Sequence, residues 1–218
     1  MAPIPHCVVF CDFDGTITEE ETFVAMLKQF TPALSAKLMP EMYARKLTLR
    51  EGVRQLLESI PSKCYEDFIP YAEPKKMRSG FPEFLAFLAD RNVPFVLVSG
   101  GVRIVVETVI GDLAPQMAGI YAVDLDTSGE MLKPITPYED GNELVAKVKV
   151  MGEYPCEQAI AIGDSITDLN MALHAPLVFA RDRLALYLDE SEKTYVPWHD
   201  FHDIRTYLER YWAEDDPD

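Results

Sequence analysis

An α/β fold is predicted: a doubly wound parallel sheet flanked by helices, with a small helical domain inserted near its start. Three features point to it. Four short runs, CVVFC (7–11), PFVLV (94–98), AIAI (159–162) and PLVF (176–179), show no alternation of polar with apolar residues. That is the pattern of strands covered on both faces. Amphipathic segments separate the runs, so strand and helix alternate. Each run also leads into a polar stretch, three of them punctuated or opened by glycine or aspartate, and such stretches bind ligands at the carboxyl ends of strands in open α/β sheets.

Taken in order, CVVFC is the first strand and runs into Asp12-Phe13-Asp14-Gly15-Thr16. Between about 19 and 78 only helical stretches follow, EEETFVAMLKQF, PALSAKLMPEMYARK, LREGVRQLLESI and SKCYEDFIPYA, punctuated by Pro32, Pro61, Pro70 and Pro74. Two starts carry capping-box signatures, Thr18-x-x-Glu21 and Thr48-x-x-Glu51. This predicts a helical cap domain at 18–78 inserted into a core formed by 1–17 and 79–218. FPEFLAFLADR (81–91) is the next helix, PFVLV the next strand, and Ser99-Gly100-Gly101 opens the helix VRIVVETVIGD (102–112). The stretch 121–133, YAVDLDTSGEMLK, predicts a hairpin turning at Ser128-Gly129. NELVAKVKVM (142–151) predicts a helix, AIAI a strand, ITDLNMAL (166–173) a helix after the turn Gly163-Asp164-Ser165, and PLVF the last strand, leading into Ala180-Arg181-Asp182.

Composition narrows the partners. The 218 residues suffice for one sizeable domain, or for a core with a small accessory domain. Twenty basic against thirty-six acidic residues give a net charge of −16, which repels nucleic-acid phosphates and anionic lipid. A small anionic substrate stays compatible with that charge, because backbone N–H groups, a lysine and a metal outweigh the global field over a few ångströms. Cys7, Cys11, Cys64 and Cys156 form no CxxC pair and read as buried thiols. The start lacks a basic n-region and no eighteen-residue apolar stretch occurs, so a cytoplasmic protein, monomer or homodimer, is expected.

The motif turns suit phosphoryl transfer through an aspartyl-phosphate. Asp12 is the candidate nucleophile, and Asp14, two residues on, the candidate acid/base toward the same side. Gly15 allows a tight turn, and Thr16 helps hold it. Ser99, Gly100 and Gly101 offer a hydroxyl and open N–H groups to a phosphoryl oxygen. Asp12, Asp14, Asp164 and Asp168 are the candidate carboxylates for Mg²⁺, with Asp164 binding directly and Asp168 through water or by orienting a neighbour. The fixed cation is Lys147, with Lys133 and Lys149 as competitors. A phosphate-binding module without turnover is the competing class.

Together DFDGT, SGG, a lysine before the third core strand and GDSITD resemble the haloacid dehalogenase superfamily, and the helical insert resembles that of its phosphoserine-phosphatase-like branch. Asp14 distinguishes the chain from true dehalogenases, which lack the second acid. CDFDGTIT, LREGVRQLLESIPS, FPEFLAFLADRNVPFVLVSGG, AIAIGDSITD, LVFARDRL and WHDFHDIR are further similar to the branch's methionine-salvage phosphatases, which act on a methylthiopentenyl phosphate. Those carry a cysteine-rich segment before the third-motif helix where this chain has MLKPITPYEDGN. The resemblance implies Mg²⁺-dependent hydrolysis of a small phosphorylated metabolite, with phosphoserine as the rival substrate. It also marks Glu21 and Arg54 as substrate-reading residues, since phosphoserine phosphatases place an acid and an arginine nearby.

Overall fold

A computed structural model describes residues 5–44 and 46–215. In chain order its elements are β1 (Cys7–Cys11), α1 (Thr22–Phe30), α2 (Pro32–Tyr43), α3 (Leu49–Leu57), α4 (Phe68–Ala72), α5 (Phe81–Ala89), β2 (Phe95–Val102), α6 (Arg103–Ile110), β3 (Gly119–Asp126) and β4 (Lys133–Ile135). There follow α7 (Lys147–Gly152), β5 (Gln158–Gly163), α8 (Leu169–His174), β6 (Leu177–Ala180), α9 (Asp182–Glu190), β7 (Val196–Pro197) and α10 (Phe201–Asp215). Among the described residues the strands form one sheet in the order β4-β3-β2-β1-β5-β6-β7, parallel throughout except for the β3–β4 hairpin.

All five residues of β1 are buried, as expected of a run with no polar position. β1 lies at the centre, pairing Val9 with Phe95 on one side and with Ile160 on the other. From β1 the chain winds outward through β2 and β3, then crosses back to β5, β6 and β7. The order reverses beside β1, so the crevice at its carboxyl end is the switch point where open α/β sheets bind ligands. No helix among the described residues is long and apolar enough to cross a membrane.

The four expected strands are present. The hairpin forms with Leu125 opposite Pro134 and Asp126 opposite Lys133, and β3 adds a parallel pairing to β2 that the hairpin reading did not anticipate. Three expectations are corrected. Ser99-Gly100-Gly101 does not open α6 but stays in β2, whose pairing with β3 shifts register between Val98 and Val102; the helix starts at Arg103. The helix expected from 142 begins only at Lys147, because Ala146 N–H donates to Tyr138 O at 2.9 Å and Asp140 bridges Glu143, holding the approach extended. Thr18 does not cap α1. Its hydroxyl accepts from Gly15 N at 3.0 Å and its backbone bridges Met77, so the helix starts four residues later.

Thr48 does cap α3, accepting from Glu51 N at 3.1 Å. The segment holding α1 to α4 leaves the sheet after β1, returns before α5, and buries Met26, Leu27, Leu56, Leu57 and Phe68 in the common core. It is tied to the hairpin loop by Ser62 N–H donating to Glu130 O and Leu132 N–H to Ile60 O, both at 2.9 Å.

Candidate active site

Asp12 follows directly on β1 and is held in line by its N–H, which donates to Ile162 O at 2.9 Å. Asp164 and Asp168 follow β5, the next strand, so two neighbouring parallel strands deliver three carboxylates to one point. Oxygens of Asp12, Asp164 and Asp168 all lie within 4.8 Å of one another, and all three residues are buried. Lys147, the first residue of α7 and only 1% exposed, donates from Nζ to Asp12 Oδ1 and Asp168 Oδ1. Lys133 is exposed on β4, and Lys149 binds Glu139 O and Asp140 at the surface. Of the three candidate lysines, Lys147 is the one in the cluster.

The turns between these residues are tight for identifiable reasons. Gly15 has φ +84°, and a Cβ there would meet Asp164 Oδ2 at 2.5 Å. Only glycine meets both conditions without displacing the carboxylate. Thr16 Oγ1 donates to Asp164 Oδ1 at 3.2 Å. Asp168 Oδ2 accepts from the N–H groups of Asp164 and Ser165 at 2.9 and 3.0 Å, so this acid closes its own turn while holding Lys147.

Three buried carboxylates, if all ionised against one ammonium, would carry two uncompensated negative charges. Burial, with Asp168 adding to it, pushes Asp12 up to about 7 against the pull of Lys147. Burial with Asp12 and Asp168 pushes Asp164 up to about 9. Burial opposes the charge on Lys147, yet Asp12 and Asp168 overcome it and hold the ammonium above its ordinary range. A divalent cation with a preference for hard oxygens matches both the residual charge and the donor set; the residues present fit a metal.

Asp14 is not part of that oxygen set. Its carboxylate accepts from the N–H and hydroxyl of Thr22 and from Phe23 N–H at 3.0 Å, so it anchors the first turn of α1 in place of the expected Thr18. Burial pushes Asp14 up to about 6, with the Thr22 and Phe23 hydrogen bonds pulling the other way.

Above the cluster lies a cavity of about 180 Å³. Asp12, Asp14, Lys147 and Ser99-Gly100-Gly101 line it, with Ser99 fully buried and its Oγ accepting from Gly101 N at 3.0 Å. The remaining walls are mostly apolar: Phe23, Val24 and Leu27 of α1, Met39 and Met42 of α2, Leu49 and Val53 of α3, and Leu144 and Val145 before α7. Tyr43 lines it too, whereas Phe30 packs on Phe68 at 4.8 Å between ring centroids and Tyr65 on the same ring at 6.2 Å.

Glu21 is exposed and lines the cavity. Arg54 does not: its Nη2 donates to Glu139 Oε2 at 2.7 Å, and Arg50, one turn earlier, lines the cavity instead. Sequence reasoning also missed Arg78, which donates to the carbonyls of Gly15, Thr16 and Thr18 at 2.6, 2.9 and 3.1 Å and so clamps the loop after β1. A lone arginine between helices carries no signal of that role.

A doubly wound sheet that gathers aspartates and a buried lysine at its switch point defines an α/β enzyme core built around an anionic reacting group. The chain belongs to the haloacid dehalogenase-like hydrolases: the family model of that description matches residues 9–173. It is 54% identical over 203 residues to a 2-hydroxy-3-keto-5-methylthiopentenyl-1-phosphate phosphatase of Microcystis aeruginosa, covering 92% of this chain and 97% of that one. A phosphatase of the same description from Bacillus cereus is 32% identical over 212 residues, covering 92% and 94%. Among solved structures, a substrate-bound phosphoserine phosphatase complex is similar in fold, with a TM-score of 0.67 at 20% identity over 94% of this chain and 99% of that one. A phosphoserine phosphohydrolase-like protein from Francisella tularensis gives 0.70 at 18% identity over 92% and 99%.

Proposed function

We propose that the chain is a Mg²⁺-dependent phosphomonoesterase that hydrolyses 2-hydroxy-3-keto-5-methylthiopentenyl-1-phosphate or a close analogue. The observation that carries the reading is the cavity: a floor of Asp12, Lys147 and Ser99–Gly101 suited to a phosphoryl group, under walls of leucine, valine, phenylalanine and methionine suited to a thioether tail. The 54% identical relative and its printed activity support the same choice.

In this mechanism Asp12 attacks phosphorus. An Asp12 oxygen–phosphorus bond forms, the phosphorus–ester oxygen bond breaks, and Asp14 gives its proton to the departing oxygen. A water then attacks the acyl-phosphate, Asp14 takes back a proton, and Asp12 is freed with inorganic phosphate. Asp14 at about 6 is matched to both halves of that task near neutral pH. Ser99, whose Oγ is oriented by the Gly101 N–H, and the Gly100 amide bind the phosphoryl oxygens, while Lys147 orients Asp12 and favours its ionised form. Asp12, Asp164 and Asp168 are the residues that would hold Mg²⁺, Asp168 chiefly by fixing the turn and Lys147. When bound, the cation neutralises phosphoryl charge as it shifts toward the nucleophile and leaving group. Residues 18–78 act as a cap over the core of 1–17 and 79–218, because α1, α2 and α3 furnish most of the apolar wall. The proposal places the activity in the cytoplasm, in keeping with four free cysteines.

The test is release of inorganic phosphate from the methylthiopentenyl ester, phosphoserine and an aryl phosphate, with Mg²⁺ and with chelator, for wild type and Asp12→Asn. The expected result is Mg²⁺-dependent release that Asp12→Asn abolishes, with kcat/KM highest for the thioether substrate. A preference for phosphoserine would overturn the substrate, and no release from any ester would overturn the reaction.

A further inference from the structure

The fourth residue of α3 is a glycine, although nothing in its backbone requires one. Gly52 lies inside the helix with its N–H donating to Thr48 O at 3.0 Å and its φ outside the left-handed region, so alanine would be the better helix former. The reason for glycine lies across the contact with α2. Gly52 is buried, and a Cβ there would overlap Met42 Sδ and meet Met42 Cγ at 2.7 Å, with Leu47 Cδ2 at 3.2 Å. Met42, in the last turn of α2, is also a wall of the cavity, as are Leu49 and Val53 of α3. One side of the methionine therefore fills the place a Cβ would take, while another borders the space open to a substrate.

A side chain at position 52 has to displace Met42, because α2 and α3 are packed together there and the methionine is the flexible member of the contact. The cavity is the open space that Met42 already borders, so the displaced thioether moves into it. We infer that Gly52 sets the length of apolar tail the cavity accepts, by giving Met42 room to lie against α3 and out of the substrate's space. Gly52 is thus a positioning residue for specificity that acts through Met42. The inference rests on the phosphatase reading and deepens it by assigning what measures the tail of the ester. A glycine that served only the packing of the two helices would, on replacement, weaken all substrates alike.

The experiment measures kcat/KM with Mg²⁺ for methyl, propyl, pentyl and heptyl phosphate in wild type, Gly52→Ala, Met42→Ala and the double variant, with thermal melts of each. In wild type kcat/KM should rise by about fourfold for each methylene that meets apolar wall, up to a longest accepted tail. Gly52→Ala should end that rise earlier and cut the pentyl-to-methyl ratio by at least about fourfold, the worth of one methylene. Met42→Ala should move the limit to a longer tail, and the double variant should recover the wild-type ratio or exceed it, because the clash goes with the thioether. If Gly52→Ala alone does not melt cooperatively, Met42→Ala and the double variant decide, each by a limit longer than that of wild type. No rise along the series in wild type, an unchanged ratio or equal losses on all esters in Gly52→Ala, an unmoved limit in Met42→Ala, or a double variant that does not recover would each overturn the inference while leaving the phosphatase reading in place. Failure to release phosphate from any of these esters or from an aryl phosphate would overturn both.

Discussion

Replacing Lys147 with methionine tests the electrostatic logic of the site. The ammonium bridges Asp12 and Asp168, all three side chains are at most 5% exposed, and Asp164 completes the carboxylate set. Swapping a whole buried ion pair for apolar groups is often neutral, but removing one partner strands the other, at a cost of about 3–5 kcal/mol. At about 2–4 °C per kcal/mol for a chain of this size, the melting temperature should fall by roughly 6–20 °C. The sign with pH follows from the direction of each shift. Lys147 is held above its ordinary value, so its contribution is complete at neutral pH and is lost only in strong base. In Lys147→Met the carboxylates escape the penalty by taking up protons, which is easy at pH 6 and hard at pH 8.5. Thermal melts with chelator should therefore show a larger deficit at the higher pH, and added Mg²⁺ should narrow it. A variant as stable as wild type at both pH values would refute the claim that Lys147 compensates the cluster.

Two further outcomes follow from the same geometry. Asp12 and Asp164 are raised to about 7 and about 9, so without metal the folded state holds protons that the unfolded chain releases near pH 4. That stabilisation is present below the unfolded value and is lost as pH rises through the raised ones. Metal-free melting temperature should fall from pH 5 to pH 9, and calorimetry should find Mg²⁺ binding tighter at high pH with proton release; affinity independent of pH would contradict the assignment. Gly15→Ala places a Cβ against Asp164 at a left-handed φ. A stability loss of about 1–3 kcal/mol in urea unfolding, with weaker Mg²⁺ binding, is expected, and an alanine variant with unchanged metal affinity would dissociate that turn from the site.

The parts legible in the sequence are those where local pattern and burial agree. Fully buried strands leave continuous apolar runs, and the turns after β1 and β5 and the last residues of β2 carry Asp, Ser and Gly in forms that few other roles require. Lys147 was legible only as one of three, because nothing local distinguishes a lysine under 2% exposed from Lys149 two residues on, which lies on the surface. Arg50 and Arg54 were hard to separate for a related reason. They sit one helical turn apart and both reach Glu139, 85 residues further along the chain from Arg54, so their charge alone does not tell which of them lines the cavity. Thr18 looked like a helix cap because its spacing to Glu21 is right, yet the tight turn around Gly15 takes its hydroxyl first. The short edge strand β7 and the late start of α7 were missed because pairing with β6 and a hydrogen bond to Tyr138 decide them, and neither is a property of the local sequence.

The two acids at the end of β1 differ by neighbourhood rather than by type. Asp12 faces carboxylates and an ammonium, whose balance a divalent cation completes. Asp14 faces the amides of Thr22 and Phe23, and Phe23 is also a wall of the cavity. The turn that holds Asp14, the proposed acid/base, therefore also places Phe23 in the cavity wall. A change that shifts α1 by an ångström would alter both proton transfer and substrate fit, while Asp12, tied to β1, β5 and Lys147, would stay where it is. On the proposed mechanism, insertion of the helices directly after the motif couples the cavity wall to Asp14 and leaves Asp12 to the sheet. Variants in the α1 wall should accordingly alter kcat together with KM, whereas variants in the α3 wall, at Leu49 or Val53, should act on KM for the apolar tail alone.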